Sequence, residues 1–344
     1  MEKYDVVIIG AGPAGLKAAE VLARGGKKAI VFEKGKVIGD KVCAGGITNK
    51  DLKYNIPTNL ISRSFNRLCV STQRQRIFIE EKEPFLYTID RRVLGKWQAE
   101  CAKKAGVIVK VNTRVNHIKE SSVITTAGEF SYNYLIGADG ASSIVRKYLG
   151  IKTDELVLAF HYIVPRKFDY VGMHLDPTRF GYTYIWIYPH KDFTSIGTGI
   201  DIGFSIPLEK LKEEFNIWLK ENDIDVRNLK FEAAPISYDY EGHEFDNIFL
   251  VGDAGGFTSG ITGEGIYSAL LSGEEVAKKI INKDYETPDL KKWLACKRIH
   301  DKLLKTIEIN KIASEFLFEF GLILMRSELF EDEFMKLAHK YKIV

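Results

Sequence analysis

The chain predicts an α/β fold, because two apolar strand-like runs bracket a glycine-rich turn and a helix-competent stretch near its start. The first run, Val6 to Ile9, is β-branched throughout and suits a strand buried on both faces. It stops at Gly10, and Pro13, whose fixed φ suits a first helical turn, opens the helix. The second run, Ala29-Ile-Val-Phe32, ends in Glu33. A glycine-rich turn alone is common, but strand, turn, helix, strand and acid in that order predict a Rossmann-type nucleotide-binding lobe. Gly10 permits the tight turn, Gly12 lets a pyrophosphate approach the backbone, and Gly15 lets the helix pack closely on the strand. The phosphates then sit at a helix N-terminus, where free N–H groups and the helix dipole favour negative charge. Glu33, in place of an Arg, suits a ribose without a 2′-phosphate.

A chain of 344 residues is long enough for two or three lobes with cores of their own. Its net charge of +3 is too small to argue for nucleic acid and is permissive toward an anionic substrate. Cys43, Cys69, Cys101 and Cys296 form no CxxC pair, so they read as reduced thiols in a cytoplasmic setting. His161, His174 and His243 have no metal-ligand spacing, so no metal is expected. Glu2, Lys3 and Asp5 stand where a signal peptide would need an apolar run, and nothing approaches the roughly 18 apolar residues of a membrane span.

Residues 35–55 are glycine-rich and polar and read as a loop, with Lys41-Val-Cys43-Ala44-Gly45-Gly46 at its centre. Residues 65–90 alternate as strands do. Arg91 to Gly106 reads as an amphipathic helix with Val93, Leu94, Trp97 and Cys101 on its buried side. A strand at 107–111 follows, then strands around Val123 and Phe130. Residues 151–240 carry aromatic strand-like runs and a helix at 208–222, but no second GxGxxG. The last 60 or so residues are mostly helical by pattern, and the segment Phe316 to Met325 is open to two readings, core packing or a lipid-facing surface. The expected division is therefore discontinuous: 1–70, 91–150 and 241–285 in the nucleotide lobe, 71–90 and 151–240 in a β-sheet-rich substrate lobe, and 286–344 in a helical C-terminal region.

Two later segments repeat the strand-to-acid pattern. Tyr134-Leu-Ile-Gly-Ala-Asp139-Gly140 places an acid beside phosphate or ribityl oxygens, although Asp-Gly is also a favoured turn dipeptide. Ile248-Phe-Leu-Val-Gly252-Asp253-Ala ends an apolar strand in a carboxylate able to accept from a sugar hydroxyl. The stretch Thr258 to Ile266 then opens a helix whose first N–H groups suit the polar edge of a flavin.

These three segments together resemble the aromatic-hydroxylase superfamily of flavoproteins, which bind one FAD without a separate NADPH domain. Tyr184-Ile-Trp186-Ile-Tyr188-Pro189 is similar to the Tyr-x-Trp-x-Phe-Pro motif of the geranylgeranyl reductase family, and Lys41 to Gly46 resembles that family's Cys-containing loop beside the flavin. Tyr188 stands where the family has Phe, and Gly95 where an acid often follows the Arg helix. The resemblance covers about residues 1–285 and implies FAD contacts at Ala14, Glu33, Cys43, Ala44, Gly46, Arg91, Val115, Asp253, Gly265 and Ile266. Arg91 would bring positive charge to the pyrophosphate and Val115 backbone atoms to the adenine.

The resemblance implies an enzyme that saturates isoprenoid double bonds, of a geranylgeranyl lipid or diphosphate, with NAD(P)H or a ferredoxin as electron donor. Such a reaction needs a proton beside the hydride in a water-poor pocket. Cys43 and Tyr188 are the candidate proton donors, with His190 behind them. Tyr182, Tyr184, Trp186 and Tyr188 share one strand face and either line a substrate channel or pack as core. A monooxygenase acting on an aromatic ring, and a flavoprotein passing electrons to a quinone or protein partner, are the competing classes. Peripheral membrane contact follows from the lipid-facing reading of 316–325, and the oligomeric state has no signature.

Overall fold

The four buried residues of the first β-branched run sit at the centre of the largest of three sheets. The computed structural model describes residues 2–201, 207–309 and 311–325, and Lys336. The chain begins with β1 (Glu2–Ile9), α1 (Pro13–Arg24) and β2 (Ala29–Phe32). After the glycine-rich loop come β3 (Gly46–Thr48), the single-turn α2 (Asn49–Leu52), β4 (Ile61–Phe65), β5 (Arg67–Ser71), β6 (Arg76–Glu80) and β7 (Leu86–Ile89). The long α3 (Arg91–Lys104) leads to β8 (Ile108–Lys110), β9 (Val115–Ile118), β10 (Ser122–Thr125), β11 (Gly128–Gly137) and α4 (Ile144–Tyr148). The middle holds β12 (Leu156–Val164), β13 (Val171–Leu175), α5 (Pro177–Phe180), β14 (Tyr184–Pro189), β15 (Thr194–Asp201), α6 (Leu208–Glu221) and β16 (Phe231–Ser237). The chain ends, as described, with β17 (Glu244–Phe245), β18 (Ile248–Leu250), α7 (Ile266–Ile281), α8 (Pro288–Ile309) and α9 (Lys311–Leu324).

The eight-stranded sheet runs β17-β18-β11-β1-β2-β8, with β10 and β9 attached beside β11. β18, β11, β1, β2 and β8 are parallel neighbours, so Leu250, Gly137, Ile9 and Phe32 end their strands at one edge. Turns that follow parallel strands open at their carboxyl ends, where ligands bind in such sheets. That topology gathers the Gly10 turn, Glu33, Asp139 and Asp253 from four distant parts of the sequence.

The seven-stranded sheet runs β16-β12-β15-β14-β13-β5-β6, antiparallel except for β13 beside β5. A third sheet of three strands, β3-β7-β4, carries the Cys43 loop. The division expected at residue 70 cuts β5, whose hydrogen-bonding neighbours β6 and β13 both lie in the seven-stranded sheet. Residues 86–89 pair instead with β3 and β4, because Ile47 and Ser64 both register on Tyr87.

α3 also differs from its reading. It buries Leu94, Gly95, Gln98, Ala99 and Ala102, and Val93 is exposed. A Cβ on Gly95 would press on Gly39, so small residues set the buried face by allowing close approach. The segment 316–325 has two faces on α9, and the core-packing reading describes one of them. Leu322 is buried with Phe65, Phe85 and Leu86, whereas Phe316, Leu317, Phe320 and Ile323 are exposed. No helix among the described residues is long and apolar enough to cross a membrane.

Candidate functional site

The glycine turn behaves as its spacing demands. Gly10 has φ +104°, and a Cβ there would run into the Ala138 carbonyl. A Cβ on Gly15 would run into the Gly10 carbonyl, so helix and turn touch through backbone alone. Gly12 is the exception: nothing lies within 4 Å of where its Cβ would stand. It precedes α1 with no side-chain cap and no acid in the first turn. The free N–H groups of that helix therefore face open space, the arrangement an anion requires.

Glu33 accepts from Ala11 N at 2.8 Å and from Gly35 N at 2.7 Å, tying the glycine turn to the end of β2. Ala14 is buried against α7, where a Cβ on Gly273 would meet its carbonyl. Arg91 is buried at the start of α3, and its Nη1 has no hydrogen-bond partner. One face further along α3, Gln98 donates to the Pro13 carbonyl at 3.3 Å, and its Oε1 is also without a partner. Each is a buried polar atom left unsatisfied by the surrounding protein, and Gln98 stands at the uncapped start of α1. The spacing of Arg91 and Gln98, seven residues on one helix, was the signal available for Gln98. Val115 is buried at the start of β9.

Asp139 answers differently. Its oxygens accept from Ser143 Oγ at 2.6 Å and Ile144 N at 2.7 Å, so this carboxylate starts α4. These bonds give Asp139 a capping role and leave the role expected beside cofactor oxygens untouched, since each carboxylate oxygen can accept more than one hydrogen bond. Asp253 meets Lys41 Nζ at 2.5 Å and Thr258 Oγ1 at 3.1 Å, which brings the Cys43 loop to the end of β18. Gly265 precedes α7 without a side-chain cap, and Ile266 is the first helical residue.

The Cys43 loop is pinned from two sides. Ile89 N donates to Gly45 O at 2.9 Å, and His190 Nε2 donates to Ala44 O at 2.9 Å. Burial drives the His190 imidazole below its ordinary pKa, against the opposing pull of that carbonyl. A Cβ on Gly46 would enter the Tyr188 ring, so that ring lies flat against the loop. Cys43 is exposed, and its Sγ accepts from Gly45 N at 3.4 Å. Burial first, then the charges of Glu264 and Cys43, push the Tyr188 hydroxyl well above its ordinary range, so Tyr188 keeps its proton.

On β14 the isoleucines Ile185 and Ile187 enter the core with Phe160, Ile196 and Phe215, while Tyr184, Trp186 and Tyr188 are half-buried on the other face. Tyr184 Oη donates to Thr262 O at 2.5 Å, tying β14 to the loop before α7. Trp186 Nε1 donates to Ser195 Oγ at 3.0 Å. Ser195 in turn lies 2.6 Å from His161 Nδ1, and His161 Nε2 lies 3.3 Å from Glu232 Oε2. Ser195 Oγ thus links the indole N–H to the imidazole, and His161 carries that link on to Glu232. Tyr182 leaves the row: it is buried and donates to Asp201, as Tyr238 does. Ser195, His161 and Glu232 escaped the sequence reading because they reach Trp186 only through neighbouring strands.

The structure thus brings Gly10, Gly12, Ala14, Gly15, Glu33, Arg91, Asp253, Gly265 and Ile266 to one edge of the eight-stranded sheet. It brings Cys43, Ala44, Gly46 and Tyr188 together beside them. Among the described residues no group of three or more His, Cys, Asp or Glu side chains has a metal-holding arrangement.

Comparison with known proteins gives the same direction. The FAD dependent oxidoreductase family matches residues 5–132. The digeranylgeranylglycerophospholipid reductase of Methanocaldococcus jannaschii is 27% identical over 317 residues, spanning 84% of this chain and 81% of that protein. The chloroplastic geranylgeranyl diphosphate reductase of Oryza sativa subsp. japonica is 28% identical over 336 residues, spanning 85% of this chain and 71% of that protein. A geranylgeranyl bacteriochlorophyll reductase-like protein of Thermoplasma acidophilum shares the fold with a TM-score of 0.74 at 23% identity, over 89% of this chain and 84% of its own. A probable FAD-dependent monooxygenase of Pseudomonas aeruginosa shares it with a TM-score of 0.68 at 17% identity, over 92% and 100%. Fold alone therefore does not separate reduction from oxygenation. The residues present fit FAD: an uncapped helix at the open side of Gly12 suits its pyrophosphate, and the orphaned Arg91 Nη1 is a cation waiting for an anion.

Proposed function

We propose that this chain, an FAD-dependent oxidoreductase similar to the geranylgeranyl reductases, saturates carbon–carbon double bonds of an isoprenoid lipid or isoprenoid diphosphate. Bound and reduced, FAD supplies the hydride. An isolated double bond is a poor acceptor, so the protein must add a proton and keep water out. The Gly10–Gly15 turn, the start of α1 and Arg91 hold the pyrophosphate. Glu33 takes the ribose, Val115 offers backbone to the adenine, and Asp253 with the Gly265–Ile266 helix start holds the remainder. Tyr184, Trp186 and Tyr188 form the wall against which the isoprenoid chain lies. Tyr188 holds its proton in the buried wall, and Cys43 stands beside it as the other acid.

The observation that carries this reading is the half-buried aromatic face of β14 laid directly on the Cys43 loop, with the Tyr188 ring against Gly46. Anaerobic incubation of the flavin-loaded protein with dithionite and geranylgeranylated lipids tests it. Products heavier by pairs of hydrogens are expected. Product only in the presence of oxygen, carrying an added oxygen atom, would mean a monooxygenase. Oxidation of the reduced protein by quinones but by no alkene would mean an electron carrier.

The physiological donor under this reading is NAD(P)H or a ferredoxin. The exposed Phe316, Leu317, Phe320 and Ile323 give α9 an apolar outer face through which the protein docks peripherally on a membrane. Flotation with liposomes should carry the protein upward, and Phe316→Asp with Phe320→Asp should leave it at the bottom of the gradient.

A further inference from the structure

Asp51 is the most anomalous carboxylate among the described residues: it is fully buried, and its Oδ1 has no hydrogen-bond partner. Its Oδ2 accepts from Thr48 N at 2.9 Å, the ordinary task of a capping acid. Capping a single-turn helix needs neither full burial nor a second, bare oxygen. An ionised carboxylate in that position is strongly disfavoured unless paired. Thr48 Oγ1 lies 3.3 Å from Asp51 Oδ2 and 3.5 Å from Glu264 Oε1, so one hydroxyl bridges two carboxyl groups. Lys50 Nζ holds the other oxygen of Glu264 at 2.8 Å.

Glu264 stands directly before Gly265 and Ile266, where α7 begins. A Cβ on its other neighbour, Gly263, would lie 3.7 Å from Tyr184 Oη. Thr48 follows two residues after Gly46, the position against which the Tyr188 ring packs. The charge of Glu264 acts on both Tyr184 and Tyr188, so the bridged carboxyl groups lie close to the aromatic wall. The groups facing them are Lys17 from α1, Lys50, Lys53 and Tyr54 from α2 and the turn after it, and Tyr267, Glu274 and Glu275 from α7.

We propose that Asp51, Thr48 and Glu264 form a proton relay that refills the acid at the aromatic wall after each double bond is saturated. Burial, and next the charge of Glu264, hold the Asp51 carboxyl well above the usual carboxylate range, so it keeps its proton at pH values where an exposed carboxyl has lost one. In one step Asp51 O–H gives its proton to Thr48 Oγ1 as Thr48 gives its own to Glu264, leaving Asp51 ionised and Glu264 neutral. Glu264 then passes the proton to the acid that protonated the alkene, and Asp51, itself sealed from solvent, is recharged by a proton from water when the fold around it opens locally. The sum is one proton in from solvent and one out to product, beside the hydride that FAD supplies. Asp51 acts through other groups and touches neither substrate nor cofactor. The relay rests on the double-bond-reducing reading above.

The test compares wild-type holoprotein with Asp51→Asn, Thr48→Val and Thr48→Ser. Infrared spectra near neutral pH should show a buried, protonated carboxyl band in the wild type that is missing in Asp51→Asn, a readout that needs no substrate. With flavin content and reduction by dithionite unchanged, anaerobic alkene reduction by Asp51→Asn and Thr48→Val should fall on the order of tenfold or more at alkaline pH and recover toward acid. Thr48→Ser, which keeps the hydroxyl, should retain the wild-type profile. A wild type without the band, or an Asp51→Asn pH profile superimposed on the wild type's, overturns the relay. A wild type that shows the band but reduces no alkene with any donor instead overturns the functional reading, and the relay's role with it.

Discussion

Under the proposed function, the two large sheets present their ligand faces by opposite means. At the edge of the eight-stranded sheet the working groups are main-chain N–H donors, exposed because Gly10, Gly12 and Gly15 carry no side chain. On the seven-stranded sheet they are the side chains of alternate residues of β14. Two of the polar tips there are held from outside the strand: Tyr184 by Thr262, distant in sequence, and Trp186 by Ser195 on the neighbouring strand. A backbone cradle is written in the spacing of a few consecutive residues. A side-chain wall is written across strands, and no single stretch of sequence contains it.

The sharpest way to break this contrast is at two glycines three residues apart. Gly15→Ala should cost stability and flavin together, because its Cβ meets the Gly10 carbonyl, and backbone on backbone cannot yield cheaply. A loss of about 2–3 kcal/mol is expected, beyond the roughly 1 kcal/mol that Ala gains over Gly in helix propensity. Gly12→Ala should leave the thermal midpoint of the flavin-free protein within about 0.5 kcal/mol of wild type, since open space surrounds the new methyl. Its flavin affinity should nonetheless fall about tenfold or more, or about 1.4 kcal/mol. Thermal melts and flavin titrations of both variants check this, and normal flavin affinity in Gly12→Ala would sink the backbone-cradle argument.

Arg91 tests whether a side chain adds to that cradle. Its Nη1 is buried without a partner, so the fold makes little use of that charge. Arg91→Met should weaken flavin binding by about 1.5–3 kcal/mol, the worth of a hydrogen bond to a charged group. Calorimetric titration in low and high salt should show the deficit narrowing as salt rises.

Much of the geometry at the carboxyl ends of the parallel strands was legible because its logic is local. Gly10 through Gly15 and Glu33 lie within one strand–helix–strand unit, and parallel topology carries Asp253 to the same place. Asp139 was legible as an acid at a strand end but not as a cap, because Ser143 distinguishes the two only once α4 has formed. The period-two row of Tyr184, Trp186 and Tyr188 placed three side chains on one face, and Tyr182 fell out because β14 begins two residues later. The direction of that face depends on what covers the isoleucines, and α6 packs there from a separate segment. Val93 misled for a related reason: a large apolar side chain counts for less than the close approach that Gly95, Ala99 and Ala102 permit.

Ser195 sharpens the contrast from the other sheet. Ser195→Ala removes the acceptor of the Trp186 indole and the partner of His161 Nδ1. Stability should fall by about 1–2 kcal/mol while flavin content stays at the wild-type level. The Michaelis constant for an isoprenoid substrate should rise several-fold as the indole loosens. Trp186→Phe carries no N–H to leave unpaired, so the double variant should recover part of the loss. A double-mutant cycle with a coupling of about 0.5–1 kcal/mol is the expected readout, and additivity would mean that Ser195 does not hold Trp186.

Acid should separate the two regions by sign, with the smallest effect of the series. In the seven-stranded sheet burial drives His174 down to about 4, and its Nε2 has no hydrogen-bond partner. Its folded pKa lies below the unfolded value, so its stabilisation is present above about pH 6.5 and is lost as pH falls toward 4. Asp51, beside the cofactor edge, is raised above its unfolded value. Its contribution is therefore fully present in acid and is lost as pH rises through the folded pKa. Between pH 7 and pH 5.5 the His174 share of lost stability is about 1 kcal/mol. Urea melts of His174→Gln at those two pH values should show that loss removed, whereas Asp51→Asn should make the acid loss larger than in wild type. If both variants moved the pH slope in the same direction, the two regions would not differ in the way their buried groups require.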